Sequence, residues 1–235
     1  MAARNLFVSC TIAIPFFPAV RLSGPTGGVS ALGGRSVRVA VFIDWQNVYR
    51  TARRAYRLDH LPGERGNFSP LRLSLLLAAA KGRGARGELV RVEIHRGLPS
   101  QKYDKIGYIA NLRQEAAWRA ESPGVVVPKL RPLRYRNYPK EPPAEKGVDV
   151  GLAVSVIEAT LRKSCDVAIL FSHDTDLLPV PEAIAHLIGP GHIETASWAS
   201  DSFQGRLRPG TAVVHHSISQ KVFEAIETPV NYARA

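Results

Sequence analysis

Short apolar runs alternate along this chain with segments whose apolar positions recur every three or four residues. Residues 37–43 (VRVAVFI) are almost continuously apolar and rich in β-branched side chains, the pattern of a strand buried on both faces. Residues 89–95, 125–130, 167–171 and 193–196 predict further strands, and Val213 with Val214 predicts an edge strand. Helices are predicted over 49–56, 71–80, 103–120, 150–161, 177–188 and 222–226. In the longest, Ile106, Ile109, Ala110, Leu112 and Arg113 keep helical spacing. Strands alternating with helices imply one α/β domain with a central, mostly parallel sheet flanked by helices. The least regular stretch, 131–146, holds four prolines and mixed charges and reads as a loop.

The ends look different. Residues 6–20 are apolar enough to resemble a signal-peptide core, but Pro15 and Pro18 interrupt them and no small-x-small cleavage site follows. Residues 23–34 are rich in Gly and Ser. Residues 1–36 therefore read as a disordered extension, or as a translation start placed too far upstream. The domain itself is expected over 37–228, with a tail at 229–235.

Charge narrows the partners. Lys and Arg number 31 against 20 Asp and Glu, giving a net charge of +11. Arg4, Arg21 and Arg35 are the only charged residues of the extension, so most of the surplus belongs to the domain. A basic surplus favours polyanions. Cys10 and Cys165, the only cysteines, offer neither a disulfide framework nor a zinc cluster, which fits a reducing, cytoplasmic setting. No run reaches the roughly 20 apolar residues of a membrane-spanning helix, so no membrane partner is expected. Self-association stays open.

In an open parallel sheet, ligands bind beyond the carboxyl ends of the strands. Two strands here run into acid: the first into Asp44, another into Asp174 and Asp176. Both look fully buried, hence central and adjacent. Asp149 stands at the start of the helix feeding the second. Read singly, Asp149 is equally a helix cap, Asp174 and Asp176 caps or Ca²⁺ ligands, Asp44 a loop acid, and Asn47 a turn residue. Read together, the four acids fall where the topology makes them neighbours. Gathered carboxylates repel one another, and a hard cation such as Mg²⁺, bound through oxygen, removes that conflict.

The segment FIDWQNVY at 42–49 resembles the signature of the NYN domain family, a branch of the PIN-like nucleases. KGVDVGLAV at 146–154 and FSHDTD at 171–176 resemble that family's Lys-Gly-x-Asp and Ser-x-Asp-x-Asp elements, in the same order. The resemblance implies a PIN-like Rossmannoid fold and RNA cleavage at a Mg²⁺ or Mn²⁺ centre. Asp44, Asp149, Asp174 and Asp176 would then be the catalytic, metal-holding acids, and Asn47 and Ser172 would orient substrate or water. His173 stands where a small residue is expected; it would narrow the site or contact a phosphate.

Single-stranded RNA is expected along Lys129, Arg131, Arg134, Arg136, Lys140 and Lys146, interleaved with Tyr135 and Tyr138. A solvated charged loop is the plain alternative. Gly82 to Gly87 matches a dinucleotide-binding pattern but follows a helix and precedes a strand, the wrong order, and reads as a flexible connector. His215 and His216 read as surface or strand residues, Trp118 and Trp198 as core. Two rival functions remain: an RNA- or protein-binding domain that does not cut, and a phosphoesterase acting on small molecules.

Overall fold

The computed structural model describes residues 9–11, 36–80, 83 and 87–234. In chain order these form β1 (Ser9–Thr11), β2 (Val37–Asp44), α1 (Trp45–Ala55), α2 (Pro70–Ala78), β3 (Gly87–Leu98), α3 (Lys105–Glu121) and β4 (Val126–Pro132). Then follow α4 (Val148–Leu161), β5 (Val167–Phe171), α5 (Pro179–Leu187), β6 (Ile193–Trp198), β7 (Val214–Ile218) and α6 (Gln220–Ile226). The seven strands pair in parallel, in the order β1-β7-β6-β5-β2-β3-β4. Six of them make the main sheet, and the three-residue β1 extends its edge.

The centre of the sheet is where the chain changes direction. From β2 it moves outward to β3 and β4, then returns through α4 to β5 on the other side of β2 and continues to β6 and β7. Strand alternation divides the core in two. Val39, Val41, Ile43, Ile169 and Phe171 face one way, packing with residues of α1, α2, α3 and α6; Ala40, Phe42, Ala168 and Leu170 face the other, with α4 and α5. On the first side Trp45 stacks edge-on against Trp118 at 4.3 Å, and Trp198 packs on Phe171 at 4.7 Å. Both tryptophans expected in the core are there, each at most 1% exposed.

Several boundaries differ from the expectation. Helix α1 begins at Trp45, because Asp44 caps it. Strand β3 runs on to Leu98 because its pairing with β4 continues to Leu98 and Pro132. His215 and His216 are buried rather than on the surface: they sit on β7, with the His215 ring between the Thr195 and Ser197 hydroxyls at 2.8 and 3.0 Å. Of the expected extension, residues 9–11 pair with β7 and the remainder up to 35 lies outside the described residues. The connector at 82–87 lies largely outside them too, but Arg83 is tied to Glu194 in a buried ion pair and Gly87 opens β3. The tail is docked: Asn67 Nδ2 donates to the Val230 carbonyl (3.2 Å) and Arg113 to that of Tyr232 (3.2 Å). Among the described residues, no helix is long and apolar enough to cross a membrane.

Candidate functional site

The ends of β2 and β5 lie side by side, with Ile43 opposite Phe171. One residue further on, Asp44 turns out of the strand and caps α1, its Oδ1 accepting the Asn47 N–H at 3.4 Å. Its Oδ2 accepts the Ser172 hydroxyl at 2.9 Å. The same Ser172 oxygen accepts the Asp174 N–H (3.0 Å), and Asp174 Oδ1 accepts the Asp176 N–H (3.0 Å) in a 3-10 turn. Asn47 Oδ1 closes the circuit by accepting the His173 N–H at 2.9 Å. Ser172 is fully buried and Asp44 is 3% exposed. In this arrangement Ser172 and Asn47 hold the acid-bearing loops together, the role of positioning residues.

Asp149 is exposed, in the first turn of α4. The cap position is Gly147, whose φ of +78° is left-handed backbone that glycine adopts without strain. Arg131 lies over this turn: its Nη1 and Nε stand 3.2 and 3.1 Å from where a Cβ on Gly147 or Gly151 would be. A Cβ at either position would make the guanidinium give by a few tenths of an ångström.

Burial first, then the charges of Asp149 and Asp174, push the Asp44 carboxyl up to about 7 against the hydrogen bonds from Ser172 and Asn47. Asp149 is also raised, first by burial and then by Asp174 and Asp176. The four acids thus act on one another electrostatically. Among the described residues, no three His, Cys, Asp or Glu side chains are already gathered at metal-holding distance. The donor chemistry nevertheless fits a hard divalent cation: every candidate donor is a carboxylate oxygen, and the acids share a charge conflict that such a cation would relieve.

Both ring nitrogens of His173 face backbone groups. Nδ1 is 2.9 Å from the Gly205 carbonyl, and Nε2 accepts the Trp198 N–H at 3.1 Å. That pairing fixes a neutral ring with the proton on Nδ1. Burial lowers its pKa to about 4. The histidine pins the β5 loop to the end of β6.

Around β4 the surface is open and basic. Lys129 and Arg131 line a groove of about 760 Å³ with His95, Arg119 and the Gly147–Gly151 side of α4. Lys146 is exposed beside it, whereas Arg134 and Arg136 stand out on the following loop, with nothing linking them directly to the acids. The loop is closed by an antiparallel bridge between Arg134 and Ala144. Tyr135 and Tyr138 pack against each other at 5.4 Å, and both pack on Tyr103 at 4.8 and 5.2 Å. Tyr103 lies 32 residues before Tyr135, so no local pattern in the sequence associates it with the loop.

His95 and its partner Glu93 were likewise invisible to motif reading. They share one face of β3, 3.2 Å apart. Burial would raise Glu93, but hydrogen bonds from His95 and Arg91 hold it down to about 2. Period-two alternation on β3 was the one signal that could have found them.

No curated protein sequence matches this chain. A crystal structure of a protein of unknown function from Vibrio parahaemolyticus RIMD 2210633 is similar at a TM-score of 0.48 and 19% identity, over 80% of this chain and 96% of that one. The family model described as NYN domain matches residues 38–187, which contain both acid-bearing strands and α4; the chain belongs to the NYN domain family.

Proposed function

We propose that this protein is a metal-dependent ribonuclease, with Asp44, Asp149, Asp174 and Asp176 holding Mg²⁺ or Mn²⁺. NYN domains have a PIN-like, nuclease-type fold, and the family is associated with RNA substrates. The observation that carries the reading is Asp44: a carboxyl almost wholly buried at a strand end, and raised to about 7 by burial and by two neighbouring acids. A structural role alone gives no reason to leave such a charge beside two others.

Each residue then has a task. Ser172 aims Asp44 through Oδ2, and Asn47 fixes the loop that presents Asp174 and Asp176. Bound among these acids, a divalent ion would supply the Lewis acidity that phosphodiester hydrolysis needs. Lys129, Arg131 and Lys146 would take backbone phosphates beside α4, while Arg134, Arg136 and the three tyrosines would extend the contact outward by charge and stacking. The domain would comprise residues 37–228.

The test uses the full chain with labelled RNA and with a phosphomonoester, each with Mn²⁺ and with EDTA. Cleavage of RNA that needs Mn²⁺, with the monoester untouched, is expected. Asp174→Asn keeps the shape of the 3-10 turn and its cap, yet should abolish cleavage. Monoester turnover without RNA cleavage would favour the phosphoesterase; RNA binding without cleavage would favour a non-cutting domain.

A further inference from the structure

On β3, His95 pairs with Asp44 and points toward α4, whereas the next residue points the other way, with Ile94, toward α1 and α3. That residue is Arg96. It lines a separate pocket of about 270 Å³ whose walls include Trp45, Tyr49, Asn111 and Gln114, with residues 230–233 of the docked tail at the rim. The pocket starts one residue beyond Asp44, at the carboxyl ends of the central strands, where open parallel sheets bind ligands.

The pocket's polar groups are incompletely matched. Arg96 donates through Nη1 to Gln114 Oε1, and the other end of that amide donates to Asn67 Oδ1 at 3.1 Å, so its orientation is fixed. Arg96 Nε is cut off from solvent and has no acceptor in the protein. Among the described residues no carboxylate forms an ion pair with it. Glu145 acts on it at longer range, but its Oε1 accepts the Gly97 N–H at 3.0 Å. Burial lowers the Arg96 pKa to about 10, which leaves a full cation at neutral pH. Asn111 shows the complementary defect: Nδ2 donates to the Gly107 carbonyl at 2.8 Å, but Oδ1 is buried without a donor.

A buried cation and a buried acceptor, both short of partners in one pocket, are costly unless a ligand completes them. The geometry points to a nucleotide-binding pocket in which Arg96 takes a single phosphate group and Asn111 takes a hydroxyl or amino hydrogen of the same nucleotide. One phosphate fits better than a continuing strand. Glu64 is also in the wall, its carboxylate 3.5 Å from Asn231 Nδ2, and a second phosphate would meet that negative charge. The ligand is therefore a free mononucleotide or the phosphorylated end of an RNA. Naming a nucleotide rests on the nuclease reading; the anion site on Arg96 does not.

Calorimetric titration of the full chain in EDTA tests this without any cleavage. Adenosine 5′- and 3′-monophosphate are the probes, with adenosine as the control. At least one monophosphate should bind about tenfold or more tightly than adenosine, the value of one charge-assisted hydrogen bond. Arg96→Gln should remove that preference. Should Arg96→Gln fail to fold, Asn111→Ala, which leaves the cation in place, should weaken nucleotide binding while leaving weak inorganic phosphate binding unchanged. Equal affinity for adenosine and both monophosphates, a preference that survives Arg96→Gln, or nucleotide binding that Asn111→Ala leaves unchanged, overturns the proposal. Oligoribonucleotides with and without a 5′- or 3′-phosphate separate the two sources: a strand end competes with the monophosphate only when phosphorylated, while a free-nucleotide site ignores both. Asp174→Asn should leave monophosphate binding intact. Binding through Arg96 in a protein that never cleaves RNA would keep this pocket and discard the nuclease, and cleavage without such binding would do the reverse.

Discussion

The carboxylates at the ends of β2 and β5 and the cations around β4 solve opposite physical problems. Around Asp44, like charges are brought together, and the backbone and side chains nearby are spent on holding them: Ser172, Asn47 and His173 each bridge two segments. Around Arg131, Arg134 and Arg136, like charges stand apart in solvent, with few bonds to fix them. In the first region burial of Asp44 is the main conflict and the neighbouring acids add to it; in the second, repulsion between exposed charges is weak and salt-dependent. Precise placement therefore belongs to the crevice, and the proposed affinity for RNA would belong to the open surface.

The largest expected effect lies in the crevice. A carboxyl titrating near 7 in the folded chain, against an ordinary 3.8, binds its proton more tightly when folded. Metal-free stability from this group is therefore fully present below about pH 4 and is lost as pH rises toward 7, by an amount of order 4 kcal/mol at most. In EDTA, wild type should melt lower at pH 8 than at pH 5, and Asp44→Asn should narrow that gap. Parallel pH profiles for the two proteins would mean that Asp44 does not carry the conflict. Adding Mn²⁺ at pH 8 should raise the wild-type melt, by about 2.7 kcal/mol at a hundredfold excess over Kd. The Asn variant should gain clearly less.

The open surface should respond in affinity alone. Replacing Arg131, Arg134 and Arg136 by Ala should flatten the log–log salt dependence of RNA binding by roughly 2 for a single strand, if each meets one phosphate. The melting temperature should barely move. A slope unchanged in the triple variant would route RNA elsewhere on the molecule. The smallest effect belongs to the far edge of the sheet. Removing residues 1–35 takes away β1 and is expected to cost about 1 kcal/mol, on the scale of a few exposed backbone hydrogen bonds. RNA cleavage should be unchanged; its loss would show that β1 reaches the crevice.

The acid-bearing elements were legible because strand β2, strand β5 and the start of α4 each announce themselves locally. A continuous apolar run ending in Asp44, another ending in Ser172-His173-Asp174, and a Gly-x-Asp helix start need only neighbouring residues to be read. What their side chains do was less legible. Ser172 looked like a residue that meets substrate, yet it is buried with its hydroxyl shared between two acids. His173 looked free to meet a phosphate, yet both ring nitrogens face the backbone of residues 198 and 205. No spacing rule joins residues that far apart.

The sequence by itself determined the α/β alternation, the parallel sheet and the strand ends at which acids stand. The physical reason is that burial of an apolar run and the period of a helix are local properties of the chain. Tertiary structure alone decided the partners: Tyr103 with Tyr135 and Tyr138, Arg131 over Gly147 and Gly151, Arg83 with Glu194, and Arg96 facing an unmatched Asn111. Each of these depends on how strands register and helices cross, which sets distances between segments that share no local pattern.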